Sequence, residues 1–171
     1  MNAEYHGIYA ALVTPYTSEG KVDYKELQKL VNYLIEKGLD GFYVNGSTAE
    51  AFLLSEEERN NIIKAVVEAN AGRKKVICHV GAISTDQAIG YAKNAEKCGA
   101  DAVSAISPFY YKFSEQEIIQ YYQDIMSATG LPMFIYNFPN FSGFSLTEEI
   151  LEKLEITNRF NNNGICFVKV K

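Results

Sequence analysis

One lysine in this sequence sits where its chemistry would change. Lys169 closes the run Ile165-Cys166-Phe167-Val168-Lys169, which is otherwise apolar. A charged amine is costly to place in such surroundings. Desolvation would lower its pKa and free the amine as a nucleophile toward ketones. The same residue lies two positions from the last one, and a side chain there can equally point to water. The segment Gly46-Ser47-Thr48 carries two hydroxyls and several backbone N–H groups with little bulk, a nest that suits a carboxylate or a phosphate. It is also what an ordinary strand-to-helix turn looks like. It has neither the dinucleotide nor the P-loop glycine spacing. Tyr136, before Asn137-Phe138-Pro139, is a candidate proton relay if a nearby cation lowers its pKa from about 10. Tyr110 and Tyr111 are candidates too, although the chain has 12 tyrosines and chance can place them. His79, among Val76, Ile77 and Val80, reads as a satisfied core residue. His6 has no visible partner, and Glu50 reads as structural or oligomeric.

The elements that would position these residues follow a regular rhythm. Apolar runs at Ile8–Val13, Gly41–Val44, Lys75–Val80, Ala102–Ile106, Met133–Tyr136 and Ile165–Val170 predict strands. They start about every 30 residues, the length of a strand-helix unit. Most are apolar throughout, as parallel strands buried on both faces are. Between them lie amphipathic segments, such as Leu27, Leu30, Val31, Leu34 and Ile35 at helical spacing. Capping boxes predict helix starts at Ser55 with Glu58, Ser84 with Gln87, Ser114 with Glu117 and Ser145 with Glu148, with Asp23 and Glu26 as a variant. Gly38, Gly99 and Gly130 each follow a helical pattern and predict C-terminal stops. The fold class is therefore α/β with parallel strands. An open doubly wound sheet and a closed (β/α)8 barrel both accept the pattern, and in both the chemistry belongs at the C-terminal ends of the strands.

Composition narrows the classes of partner. The net charge of −5 argues against nucleic acid and anionic membrane, which favour basic surfaces. The start has no basic region followed by an apolar run, and no stretch is long enough to span a bilayer. Cys78, Cys98 and Cys166 are widely spaced, which suits buried thiols in a reducing cytoplasm and gives no metal signature.

Taken together, several segments resemble the pyruvate-dependent aldolase family that includes N-acetylneuraminate lyase and dihydrodipicolinate synthase. They are Ala11-Leu12-Val13-Thr14-Pro15, Gly41 through Phe52, His79-Val80-Gly81, Ser107 through Tyr111, and Tyr136-Asn137-Phe138-Pro139. The likeness runs from about residue 7 to 143. Ser47, the Ala51-Phe52 continuation, the Phe109-Tyr110-Tyr111 run and Phe141-Ser142-Gly143 are closer to the lyase branch. The resemblance implies a (β/α)8 barrel and cleavage of sialic acid to pyruvate and N-acetylmannosamine. It implies that Ser47 and Thr48 hold the substrate carboxylate and that Tyr136 is the acid/base. Tyr110 would reach a neighbouring subunit's site, completing a Thr48–Tyr136–Tyr110 hydroxyl chain. Lys169 would form the Schiff base, with no metal or organic cofactor. A cytoplasmic homo-oligomer, tetrameric in intact members, is the expected assembly.

Two positions and one segment depart from that pattern. Ala49 replaces a usual glycine, which is tolerable where its φ is negative. Phe167 replaces the glycine before Val-Lys and puts a large ring beside the nucleophile. The segment 155–171, with Asn161-Asn162-Asn163, is divergent and polar, and the residues expected after the lysine are missing. The expectation is one incomplete barrel domain over residues 1–171, with about two of eight units absent and a coding disruption near Phe160. Such a chain would expose strand edges and lack the residues that grip the sugar's tail. The alternatives are another pyruvate-dependent aldolase, such as dihydrodipicolinate synthase, or a non-catalytic fragment.

Overall fold

A computed structural model describes residues 5–158 and 165–169, with side chains for 5–154. The chain packs as two compact units, one formed by Met1–His79 with Lys97–Asp101, the other by Val80–Glu96 with Ala102–Lys171.

The first unit is built on three parallel strands. These are β1 (Tyr9–Ala11), β2 (Gly41–Val44) and β3 (Lys75–His79), with Tyr9 opposite Gly41 and Gly41 opposite Lys75. Helix α1 (Tyr24–Glu36) follows β1, and α2 (Glu56–Asn70) follows β2. Phe42, Val44, Val76 and Cys78 are fully buried, as parallel strands covered by helices should be. Leu27 and Val31 from α1 and Ile62, Ile63 and Val66 from α2 complete that core, and the two helices pack on each other. Burial raises the Cys78 thiol's pKa well above its usual range, so it stays a protonated apolar side chain. The start of β3 is fastened at Asp101. Its carboxylate takes Lys75 Nζ at 2.9 Å and the Val76 N–H at 2.8 Å, and its carbonyl takes the Tyr5 hydroxyl at 2.8 Å.

The second unit repeats the scheme with β4 (Ala102–Ile106), β5 (Met133–Asn137) and β6 (Ile165–Lys169), again parallel. Its helices are α3 (Thr85–Cys98), α4 (Glu115–Ser127), the single turn α5 (Pro139–Ser142) and α6 (Glu148–Asn158). Every residue of β4 is buried. The Tyr121 hydroxyl exchanges two 3.1 Å hydrogen bonds with the Ala82 backbone, and Ser107 Oγ pairs with the Tyr122 hydroxyl at 3.1 Å. Lys153 of α6 bridges Glu115 of α4 at 2.7 Å and its own helix's Glu149 at 3.0 Å.

The strands lie where hydrophobicity places them, with β1 trimmed to three residues because Ile8 and Val13 are exposed. The predicted edges of β3 and β5 each shift by one residue, to His79 and Asn137, and the predicted last residue of β6, Val170, lies outside the described residues. Ser55–Glu58 and Ser114–Glu117 form complete capping boxes, and Asp23 caps α1 from its side chain. Two expectations are corrected. The first turn of α6 is held by Thr147 rather than Ser145: Thr147 Oγ1 accepts from the Ile150 N–H and its carbonyl from the Leu151 N–H. Gly130 does not take the left-handed conformation of a C-terminal cap, unlike Gly38 and Gly99. Its N–H instead meets the Glu96 carboxylate at 2.9 Å.

The Glu58 carboxyl is held below its usual pKa, first by the Ser55 N–H and then by the Ser55 hydroxyl. Ser55→Ala should therefore cost about 1 kcal/mol, read as a lower urea midpoint. A carboxylate with a depressed folded-state pKa stabilises above the unfolded value, about 4.3, and loses that contribution as pH falls through the folded one. The midpoint difference should accordingly shrink in acid.

Candidate functional site

At the end of β2 the chain leaves the sheet through two left-handed residues, Asn45 (φ 57°) and Glu50 (φ 55°). Between them Ser47–Ala49 forms one 3₁₀ turn, with the Ala49 N–H on the Gly46 carbonyl at 3.1 Å and the Glu50 N–H on the Ser47 carbonyl at 3.0 Å. Ala49 keeps a negative φ and is buried, so the methyl that replaces glycine there is accommodated. Its carbonyl accepts the buried Thr14 hydroxyl at 2.7 Å, which pins the turn to the segment after β1. At Gly46 the constraint is space: a Cβ would stand 2.6 Å from the Tyr43 ring. Ser47 and Thr48 are both exposed. Two hydroxyls thus project from a turn whose backbone is tied at both ends, an arrangement that can hold an anion.

Beneath the turn lies a polar cluster. Asn45 Nδ2 donates to the Arg59 carbonyl at 2.9 Å, and Arg59 Nη2 donates to the His79 carbonyl at 3.0 Å. Arg59 is 3% exposed and His79 2%. The imidazole lies against Phe52 (centroids 5.8 Å, edge-on) and Tyr43 (6.2 Å). Burial, seconded by the Arg59 charge and opposed by a hydrogen bond with the Asn45 backbone, pushes the His79 pKa down to about 3. His79 is therefore the neutral core histidine that its apolar neighbours suggest.

In the second unit, Met133, Ile135 and Asn137 of β5 are buried in one phase of the strand, with Phe134 and Tyr136 in the other. Asn137 is locked by its amide, which accepts from the Leu146 N–H at 3.2 Å and donates to the Leu146 carbonyl at 3.4 Å. Tyr136 is half-buried at the strand's end, its ring 5.7 Å from Phe138, which meets Phe141 edge-on at 4.5 Å. Strand β6 runs beside it with Val168 opposite Tyr136 and Lys169 opposite Asn137. Lys169 and Tyr136 are thus on neighbouring strands, one residue out of step, and the register position of Lys169 is that of Asn137. The side chains of Phe167 and Lys169 lie outside the described ones. Tyr110 has φ 79° and is 83% exposed, its ring edge-on to Tyr111 at 5.0 Å. A bulky residue held at positive φ is strained, which marks functional positions more often than ordinary loops.

Ser47 and Thr48 belong to the first unit and Tyr110, Tyr136 and Lys169 to the second. Arg59 did not stand out in the sequence, where it follows three glutamates in a helix and reads as a solvated surface charge. Among the described residues, no cluster of His, Cys, Asp or Glu could hold a metal, and no helix is long and apolar enough to cross a membrane.

The profile of the dihydrodipicolinate synthetase family matches residues 4–164. The chain belongs to this family. Its six parallel strands with intervening helices are a partial set of the family's (β/α)8 barrel. An N-acetylneuraminate lyase from Shigella boydii is 43% identical over 155 residues, 90% of this chain and 52% of that protein. A sialic acid aldolase from Ruminococcus gnavus, solved as a catalytic-lysine mutant, superposes with a TM-score of 0.92 at 31% identity, covering 100% of this chain and 56% of that one. A 4-hydroxy-tetrahydrodipicolinate synthase from Methylacidiphilum fumariolicum gives a TM-score of 0.87 at 33% identity, covering 93% and 52%. The chain spans about half the length of the curated family members it matches.

A histidine buried neutral weakens the fold in acid. The unfolded chain takes up the proton from about pH 6.5 downward, while the folded one resists until about 3. Stability should fall as pH drops through that window, because the unfolded state binds more protons there. His79→Gln should flatten the slope of urea stability against pH between about 6.5 and 4. An unchanged slope would assign the acid sensitivity elsewhere.

Proposed function

We propose that this sequence carries the chemistry of a class I lyase that splits N-acetylneuraminate into pyruvate and N-acetylmannosamine. The observation that carries this reading is the 43% identity to N-acetylneuraminate lyase over 90% of the chain, which includes the Ser47–Thr48 turn and Tyr136. In this reading the Lys169 amine adds to the substrate's C2 ketone and water leaves, giving a protonated imine. Tyr136 takes the proton of the C4 hydroxyl as the C3–C4 bond breaks. The released aldehyde is N-acetylmannosamine, and the bond's electron pair moves into the imine to form an enamine. Protonation at C3 and hydrolysis return pyruvate and the free amine. The imine is the electron sink, so the reading needs no metal or organic cofactor. Ser47 and Thr48 hold the carboxylate throughout.

Tyr110 extends toward a neighbouring subunit's site in this reading. Its strained backbone and exposure support that role. Residues 1–171 are read as one incomplete barrel domain, since one family profile runs through both compact units. A cytoplasmic setting in sialic acid breakdown and a homotetramer complete the proposal. Dihydrodipicolinate synthases share the fold, as the Methylacidiphilum structure does. Ser47 and the Phe109-Tyr110-Tyr111 run favour the lyase.

Borohydride reduction in the presence of pyruvate should leave a covalent adduct on Lys169, read by intact mass and peptide mapping, and Lys169→Ala should abolish it. An adduct on a different lysine removes Lys169 from its role, and none at any pH supports the non-catalytic fragment. Where cleavage is measurable, Tyr136→Phe should slow it by about a hundredfold or more while leaving the pyruvate adduct intact.

A further inference from the structure

Arg59 takes no part in the chemistry above, yet it is a permanently charged side chain 3% exposed, directly below the turn that would hold the substrate. We infer that Arg59 is a positioning residue that sets the geometry of the Ser47–Thr48 carboxylate seat through Asn45 and His79. The inference rests on the Schiff-base reading for the substrate's identity, and on the first unit alone for its geometry.

Two hydrogen bonds converge on Asn45, the residue that begins the turn. Its amide donates to the Arg59 carbonyl at 2.9 Å, its backbone is hydrogen-bonded with the His79 side chain, and its φ of 57° begins the turn. Arg59 Nη2 in turn holds the His79 carbonyl at 3.0 Å. One residue of α2 therefore joins the last residue of β3 to the first residue past β2, and Gly46-Ser47-Thr48 follow at once. The guanidinium lies 5.8 Å from the centre of the Phe52 ring, beyond the turn's other end, so both flanks of the turn rest on the same residue, directly through its carbonyl at Asn45 and through its side chain at Phe52. A planar fork with fixed donors suits this task better than a flexible ammonium, and it cannot escape its burial by losing its proton. An apolar side chain would fill the volume without reaching the carbonyl. Small displacements of a ligand seat weaken binding and reaction sharply. Holding the two strand ends at a fixed separation is therefore the reason for a cation at this depth.

Two ketones separate positioning from general destabilisation. Borohydride trapping with pyruvate depends on the carboxylate seat, whereas trapping with acetone, which has no carboxylate, does not. Arg59→Met should lower the pyruvate trapping rate by about tenfold or more and leave the acetone rate unchanged, and Arg59→Lys should recover only part of the loss. Equal pyruvate rates in the parent and Arg59→Met, or a parallel fall for both ketones, overturns the inference. If Arg59→Met does not fold, Asn45→Gly serves instead. Glycine accepts the positive φ without steric strain while the amide tie is lost, and the same selective loss is expected. Calorimetric titration with lactate, a carboxylate without a ketone, separates this inference from the reading it rests on. A parent chain that binds lactate but traps neither ketone sinks the Schiff-base reading alone, and the inference then stands or falls on whether Arg59→Met weakens lactate binding. A parent chain that binds neither pyruvate nor lactate overturns both.

Discussion

A parallel strand surrounded by helices can place chemistry only where its backbone leaves the ladder, and at that point the freed polar groups need new partners. The end of β2 meets this need through three elements at once. Thr14 from beyond β1 binds the Ala49 carbonyl, Asn45 turns its amide to the Arg59 carbonyl of α2, and Arg59 reaches the last carbonyl of β3. The result is a short 3₁₀ turn with both hydroxyls outward and nearly everything behind them buried. Its sequence follows from its surroundings. Glycine at 46 leaves room for the Tyr43 ring, and asparagine at 45 tolerates the left-handed backbone. Alanine at 49 is possible because the positive angles fall on its flanks.

How much of this was legible beforehand depends on the kind of signal. The strands of both units show in the sequence as apolar runs, because burial on two faces leaves few alternatives. The capping boxes at Ser55 and Ser114 show because they are local: donor and acceptor lie three residues apart. Ser145 misleads for the same reason, since a box can be spelled by chance, and Thr147 wins by standing directly before the helix. Gly130 follows a helical pattern but answers to a glutamate 34 residues away, a contact no local rule contains. Arg59 is the extreme case: its neighbours in sequence are charged, and its neighbours in space are a histidine, an asparagine and a phenylalanine.

The candidate residues divide along the same line. Ser47, Thr48 and Tyr136 lie at strand ends, where the topology puts accessible side chains. Tyr110 gains from the structure an observation its sequence could not supply, a positive φ on a large residue. Lys169 gains a register: it is level with Asn137, whose amide is committed to Leu146.

That register makes β6 a parity device. Along an extended strand, odd and even positions face opposite sides of the sheet, and a one-residue slip of the pairing exchanges them. Cys166 and Val168 are in step with Phe134 and Tyr136, and Ile165, Phe167 and Lys169 with Met133, Ile135 and Asn137. A one-residue slip of β6 against β5 would move the lysine out of the set of Asn137 and into that of Tyr136.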